Sequence, residues 1–164
     1  MLIGVISDTH GHVPYTRAAV WMLASLEVEA VLHCGDIGSV EIVPLVAEWP
    51  AHFVFGNVDY NEAELRAAIE AVGQTCHGRF GAVELGGRRI AILHGDDTRR
   101  LSETIAGGDF DLVCSGHTHV ASQRKRGPTL ALNPGALYRA RPHTLAIVDL
   151  QTMEATSVVV SDGE

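Results

Sequence analysis

Side chains that bind metals follow five separate apolar, strand-like runs of this chain of 164 residues. In open α/β sheets, the loops at the carboxyl ends of strands gather side chains from several strands into one crevice. The pattern therefore favours a fold that brings five loops to one place. The segments are Asp8-Thr9-His10, Gly35-Asp36, Gly56-Asn57, His94-Gly95 and Gly116-His117-Thr118-His119.

The first half of the chain alternates strand-like and helical patterns. Short β-branched runs predict strands over 2–6, 30–33 and 52–55. Apolar spacing and capping residues predict helices over about 14–26, 40–48 and 62–72. This order predicts a βαβαβ opening.

Short strands separated by glycine turns predominate from about Thr75 onward, with Gly86-Gly87 as a hairpin turn. These strands are expected over 82–85, 89–93, 112–114, 120–124, 129–132, 144–150 and 155–160. Residues 102–106 are expected to be the last turn of a short helix. We therefore predict an α/β fold of two mixed sheets packed together with helices outside. A chain of this length suits a single domain over residues 1–164.

The formal net charge of −8 argues against a protein whose main role is to bind nucleic acid. Binding to a phosphate backbone relies on lysine and arginine to replace condensed counterions. The one compact basic cluster, Arg124-Lys125-Arg126, is typical of a solvated turn. We expect no stable complex with nucleic acid.

The three cysteines are odd in number and lack the CxxC spacing of a zinc ribbon. The chain starts directly with an apolar strand, without a basic leader, and has nothing near the ~20 apolar residues needed to span a bilayer. We expect no membrane association and a cytoplasmic location.

Seven candidate ligands are too many for one structural zinc, which takes four. They suit two metals that share a bridging carboxylate, an arrangement that can polarise a phosphoryl oxygen and generate a hydroxide. Two divalent ions bring +4 and Asp8 and Asp36 return −2, which leaves about +2 to attract a phosphate. Imidazole beside carboxylate and amide oxygen suits transition metals, Mn first, with Fe, Zn or Ni as alternatives.

Taken together, the segments resemble the calcineurin-like metallophosphoesterase superfamily, in particular its small prokaryotic phosphodiesterase branch. The family pattern is D-x-H, G-D, G-N-x-[DE], a lone His and G-H-x-H, and the match spans residues 8–119. The resemblance implies a four-layer α-β-β-α sandwich. It also implies that one metal binds Asp8, His10, Asp36 and His119, and that the other binds Asp36, Asn57, His94 and His117.

Two departures from the family pattern bear on activity. Many relatives have G-N-H-[DE] in the third segment, where the His assists the leaving group; here Val58 takes that position, and Asp59 has no such side chain to orient. The stretch Ile37-Gly38-Ser39-Val40 also lacks the Asp-Arg of protein phosphatases. General-acid help is worth roughly 10²–10⁴-fold, so we expect a preference for aryl phosphodiesters over alkyl phosphomonoesters. His12, or else His33, is a candidate proton donor.

The resemblance implies a dinuclear-metal-dependent phosphoesterase that hydrolyses phosphodiesters by attack of a metal-bridging hydroxide, with Asp36, Asn57 and His94 acting through the metals. One alternative is a phosphomonoesterase acting on small phosphorylated metabolites. Another is a non-catalytic scaffold on the same fold, like the related retromer subunit. The expected partner is a small phosphate ester. Edge strands in the second half of the chain could also pair between subunits, which would give a homo-oligomer.

Overall fold

The apolar runs form the strands of two mixed sheets in a computed structural model, which describes residues 1–161. The first sheet contains β1 (Leu2–Ile6), β2 (Ala30–His33), β3 (Ala51–Phe53), β4 (Thr75–Cys76), β10 (Thr144–Asp149) and β11 (Glu154–Val159). The second contains β5 (Phe80–Leu85), β6 (Arg88–Leu93), β7 (Leu112–Cys114), β8 (Ser122–Arg126) and β9 (Thr129–Asn133). Their strand orders are β11-β10-β1-β2-β3-β4 and β5-β6-β7-β9-β8.

Parallel pairing aligns the strand ends that lead into the five ligand segments. In the first sheet, Ile6 pairs with His33 and His33 with Phe53, so β1, β2 and β3 end at the same level. In the second sheet, Ile92 of β6 pairs with Cys114 of β7. Each ligand segment therefore begins at a carboxyl edge of its sheet.

Alternation along the strands divides the core into layers. Ile3 and Val5 of β1 face the second sheet, whereas Ile6 packs under the helices of the first. Those helices are α1 (Val13–Ser25), a 3-10 helix (Val40–Val46) and α2 (Glu62–Ala71), and α3 (Thr98–Gly107) covers the second sheet through Leu101 and Ile105. The predicted fold of two mixed sheets flanked by helices is confirmed.

Among the predicted elements whose bounds or type differ from the observed ones, two have a clear physical reason. The segment after Ser39 is a 3-10 helix rather than an α-helix, because Pro44 has no N–H to donate to an i−4 carbonyl. The strand expected over 120–124 begins at Ser122 instead, since Val120 and Ala121 still belong to the loop that carries His119. No helix within residues 1–161 is both long and apolar enough to cross a membrane.

Candidate metal centre

The backbone at five of the predicted ligands is left-handed. Their φ angles are 54° at Asp8, 44° at His10, 53° at Asp36, 71° at His117 and 61° at His119. A residue other than glycine in this region costs about 1–3 kcal/mol and persists where the surrounding structure imposes it, often at functional sites. The loops therefore adopt an unfavourable conformation that aims these side chains at a common point.

The first predicted set of ligands meets at that point. One possible ligand atom from each of Asp8, His10, Asp36 and His119 lies within 4.8 Å of the others. Asp8 Oδ1 is 3.1 Å from His119 Nε2 and 3.7 Å from His10 Nε2, and the two imidazole nitrogens are 3.3 Å apart. Two carboxylates and two imidazoles thus surround a space that suits one cation.

The second predicted set adjoins the first through Asp36. Its Oδ2 is 3.7 Å from His10 Nε2 and 3.3 Å from His94 Nε2. The ring of His94 lies edge-on to that of His117, with centroids 5.2 Å apart, and His117 Nδ1 is 3.2 Å from Asn57 Oδ1. All seven predicted ligands therefore lie in two neighbouring groups. Asp36 makes the shorter link between them, since Asp8 Oδ1 lies 3.9 Å from His94 Nε2.

Hydrogen bonds outside the cluster fix the direction of two imidazoles. His94 Nδ1 lies 2.8 Å from the carbonyl oxygen of Cys34, and His119 Nδ1 lies 3.1 Å from that of Arg139. A carbonyl accepts only, so Nδ1 carries the proton in each ring. Each Nε2 then presents its lone pair to the cluster, as metal-binding histidines do.

Each carboxylate is likewise held by one oxygen and presents the other. Asp8 Oδ2 accepts hydrogen bonds from Ser7 Oγ at 2.6 Å and from the His117 N–H at 3.1 Å. Asp36 Oδ1 accepts one from the Val58 N–H at 3.1 Å. Asp8 Oδ1 and Asp36 Oδ2 are therefore the oxygens that face the imidazoles.

Within residues 1–161, two polar atoms at the centre of the cluster lack a hydrogen-bond partner, whose place a cation could take. Among the residues described, Asp8 Oδ1 and His94 Nε2 are buried and make no hydrogen bond. An unsatisfied buried polar atom costs about 1–3 kcal/mol, and a metal ion would satisfy a carboxylate oxygen and an imidazole lone pair together. The donor set, oxygen with imidazole nitrogen, fits divalent transition metals.

The charges of the cluster stabilise one another. Burial raises the pKa of Asp8, but the neighbouring His10 imidazole and the hydrogen bond from Ser7 outweigh it, so the pKa falls below 3.8. Burial lowers the pKa of His94, but the Asp36 carboxylate outweighs it, so the pKa rises above 6.5. The carboxylates are therefore ionised at neutral pH, and a metal must displace the proton that His94 gains more readily than a free imidazole.

Two glycines let the ligand loops approach each other. A Cβ on Gly116 would collide with Ser7 Oγ and lie 2.5 Å from Asp8 Oδ2. A Cβ on Gly56 would collide with the Oδ1 and backbone nitrogen of Asp36. Neither glycine has a positive φ, so the need is for space between loops and not for a special turn.

Comparison with known proteins identifies the family. Residues 1–153 match the model of the calcineurin-like phosphoesterase superfamily domain. The chain belongs to this superfamily. The resemblance inferred from the five segments is confirmed.

Relatives of known structure or function cover nearly the whole chain. A phosphodiesterase of Methanocaldococcus jannaschii is 30% identical over 165 residues, which cover 98% of this chain and 99% of the relative. The solved structure of an archaeal phosphodiesterase has a TM-score of 0.90 and 29% identity, and covers 97% of this chain and 99% of that one. Vps29 of Entamoeba histolytica in complex with Zn²⁺ shares the fold, with a TM-score of 0.66, 20% identity and coverage of 100% and 95%.

The third segment departs from the superfamily pattern, and its Asp59 has partners that sequence reasoning missed. Its carboxylate accepts backbone hydrogen bonds from Ile37 at 3.2 Å, Gly38 at 2.9 Å and Gly56 at 2.8 Å. Asp59 therefore joins the loop after β2 to the loop after β3. Val58 leaves Asp59 without a histidine to orient, but the Asp59 carboxylate still binds the backbone of the ligand loops.

Asn133 is a second support behind the ligands. Its Nδ2 donates to the carbonyl of Gly116 at 2.7 Å and to Thr118 Oγ1 at 3.1 Å, while its Oδ1 accepts from the Gly135 N–H at 2.9 Å. Asn133 therefore shapes its own turn and also holds the loop that carries His117 and His119.

His12, the candidate proton donor, lies beside the ligand loops in an aromatic cluster. It caps α1 through Nδ1, which accepts from the Tyr15 N–H at 3.3 Å, and its ring stacks on Tyr138 with centroids 4.2 Å apart. A neutral His12 with an accepting Nδ1 carries its proton on Nε2. A role for that proton in the reaction stays a prediction.

Proposed function

We propose that the protein is a dinuclear-metal-dependent phosphodiesterase. The observation that carries this proposal is the Asp36 carboxylate, whose Oδ2 lies within 3.7 Å of His10 in one ligand group and 3.3 Å of His94 in the other. A carboxylate shared between two such groups is what a two-metal hydrolytic site requires, because both ions must act on one phosphoryl group.

The residues for each ion follow from the two groups. Asp8, His10, Asp36 and His119 would hold one ion, and Asp36, Asn57, His94 and His117 would hold the other. We propose Mn²⁺ as the metal, on the ground that imidazole with carboxylate and amide oxygen suits it. When bound, the ions polarise a phosphoryl oxygen and lower the pKa of water.

The chain's own residues supply charge and orientation. Two carboxylates offset only half of the +4 of two divalent ions, so the loaded site favours an anionic ester. The hydrogen bonds from the Val58 N–H and from Ser7 hold Asp36 and Asp8 in fixed directions, so substrate binding needs no rearrangement of the carboxylates.

A preference for esters with acidic leaving groups follows from position 58. Val58 has no proton to give, so an alkoxide leaving group would depart without the help that a general acid provides. Aryl esters, whose leaving groups are acidic, need that help least. The choice of diesters over monoesters is supported by the M. jannaschii relative, which is named a phosphodiesterase.

The test compares two aryl esters with the same leaving group. Protein stripped with EDTA and reloaded with Mn²⁺ should hydrolyse bis(p-nitrophenyl) phosphate faster than p-nitrophenyl phosphate, and should lose both activities without metal. Asp36→Asn should lower the rate on the order of 10²-fold or more, because it weakens both ion sites. Asp109→Asn, at an exposed carboxylate, is the matched control and should leave the rate unchanged.

Each alternative function corresponds to a different outcome. Faster hydrolysis of the monoester would replace the phosphodiesterase with a phosphomonoesterase. Tight Mn²⁺ binding with no hydrolysis of either ester would favour the non-catalytic scaffold. Vps29, whose fold this chain shares, is the reason for considering that alternative. Unchanged activity in Asp36→Asn would refute the shared carboxylate.

A further inference from the structure

A basic, aromatic groove adjoins the metal ligands. It is lined by Tyr15, Tyr138, Arg139, Ala140, Arg141 and His143 and has a volume of about 480 Å³. We propose that this groove, called here the Tyr138 groove, binds a planar aromatic ester group of the substrate. The proposal rests on the proposed function, since it assumes that the phosphate of the ester binds at the ligand cluster.

The backbone of the groove is bonded directly to two ligand residues. The Tyr138 N–H donates to the carbonyl of Asp8 at 3.1 Å, and the Arg139 carbonyl accepts from His119 Nδ1 at 3.1 Å. The wall of the groove is thus one hydrogen bond away from the first ligand group. We therefore place the phosphate at the ligand cluster and its ester substituent in the adjoining groove.

The aromatic rings at the groove form one cluster of ring contacts. Tyr138 stacks on His12 at a centroid distance of 4.2 Å and an angle of 11°, and Tyr15 packs on His143 at 3.9 Å. Both tyrosines are only half-buried. Stacking of a base on an aromatic side chain is worth about 1–3 kcal/mol, so these rings can select for a flat substituent.

The charge of the groove suits an anionic ligand. Arg139 and Arg141 are exposed at its rim, and the six lining residues include no carboxylate, although the whole chain carries a net charge of −8. The Arg139 guanidinium also lies 5.8 Å from the centre of the Tyr138 ring. A cation beside an aromatic face favours an aryl phosphate or a nucleotide over a neutral apolar ligand.

A second basic cleft touches the other ligand group but is less suitable. It lies beside His94, contains Arg79 and Arg100, and has a volume of only about 90 Å³. Asp96 and Asp97 also line this cleft and offset its arginines. The Tyr138 groove is therefore the place where size and charge both suit an aromatic ester group. Such a group also has the acidic leaving oxygen that Val58 makes necessary.

The test measures binding without hydrolysis. Calorimetry on the Mn²⁺-loaded protein compares phenylphosphonate with methylphosphonate, which share the anionic head and differ in the ring. We expect phenylphosphonate to bind about 10-fold tighter, as one stacking contact allows. Tyr138→Leu should bring the two affinities together without weakening methylphosphonate, whereas Tyr138→Phe should keep the difference.

Tyr60→Leu is the matched control, because this tyrosine is 88% exposed and lies outside the groove. It should keep the 10-fold difference. Equal binding of the two phosphonates by the wild type would overturn the proposal, as would loss of the difference in Tyr60→Leu instead of Tyr138→Leu. Binding of neither phosphonate, with no hydrolysis of bis(p-nitrophenyl) phosphate, would overturn the proposed function as well.

The source of the aromatic group is settled by a second pair of ligands. Thymidine 5′-monophosphate and 2-deoxyribose 5-phosphate differ by the base alone. A preference for the nucleotide that Tyr138→Leu removes would extend the proposal to nucleobases. Equal affinities, together with a preference for phenylphosphonate, would restrict it to simple aryl esters.

Discussion

His33 is a fully buried imidazole that connects the first two ligand loops. Its Nδ1 accepts from the Gly35 N–H at 3.2 Å, so the proton is on Nε2, which lies 3.0 Å from Thr9 Oγ1. Thr9 in turn donates to the carbonyl of Ile37 at 2.9 Å. Burial lowers the pKa of His33 from 6.5 to about 4, although Asp8 raises it in part. The ring is therefore neutral at pH 7.

This lowered pKa predicts a loss of stability in mild acid. Between pH 6.5 and 4 the unfolded chain binds a proton at His33 that the folded protein does not bind. The stabilisation is thus complete above pH 6.5 and falls by roughly 3 kcal/mol as the pH approaches 4. Urea unfolding of the EDTA-treated protein at pH 7, 5.5 and 4 measures it. The stability gap between the wild type and His33→Gln should narrow by that amount, and a constant gap would show that His33 does not titrate as expected.

The clustering of the candidate ligands could be predicted from the sequence because each ligand segment follows an apolar run, in a fixed order of residue types. Their supports could not. Thr9 and His33 are 24 positions apart, and Asp59 bonds the backbone 21 positions before it. A serine, threonine or aspartate in a loop has many ordinary roles, so only the folded contacts distinguish these residues.

At the scale of elements, loops from the two sheets pack closely where one of them has a glycine. Gly116, after β7 of the second sheet, faces Ser7 and Asp8, which follow β1 of the first sheet. The contact between these loops sets how closely the two sheets approach at the site. The sequence predicts the strands from their apolar runs, but it does not show that Gly116 is required for space rather than for a turn.

Gly116→Ala should therefore damage the site from a position that offers no ligand atom. The new methyl group would displace Asp8, and we expect Mn²⁺ affinity to fall at least 10-fold and stability to fall by about 1–3 kcal/mol. Calorimetry with Mn²⁺ and thermal unfolding measure the two effects. Gly107→Ala, at the end of α3 where a Cβ would lie 3.5 Å from its nearest neighbour, should keep both properties or gain slightly in stability. Equal behaviour of the two variants would contradict the steric argument.

At the scale of the whole molecule, the two sheets meet at the candidate metal centre. The loops after β1, β2 and β3 supply Asp8, His10, Asp36 and Asn57, whereas the loops after β6 and β7 supply His94, His117 and His119. The sequence predicted both the strand ends and the two-sheet fold. It could not predict how the sheets face each other, because that depends on the layer of apolar side chains packed between them.

Metal binding should consequently stabilise the whole fold by linking the sheets. A ligand that binds only the folded state at 100 times its Kd adds about 2.7 kcal/mol, which for a chain of this size corresponds to a rise in Tm of roughly 5–10 °C. Thermal unfolding with and without Mn²⁺ measures the shift. Asp36→Asn, in the first sheet, and His94→Ala, in the second, should each lose most of it. His77→Ala should retain the full shift, because His77 pairs with His52 at 3.0 Å and belongs to neither ligand group. A full Mn²⁺ shift in His94→Ala would mean that the second ligand group adds nothing to the stability and that the first group, which already takes His119 from the second sheet, supplies the whole shift.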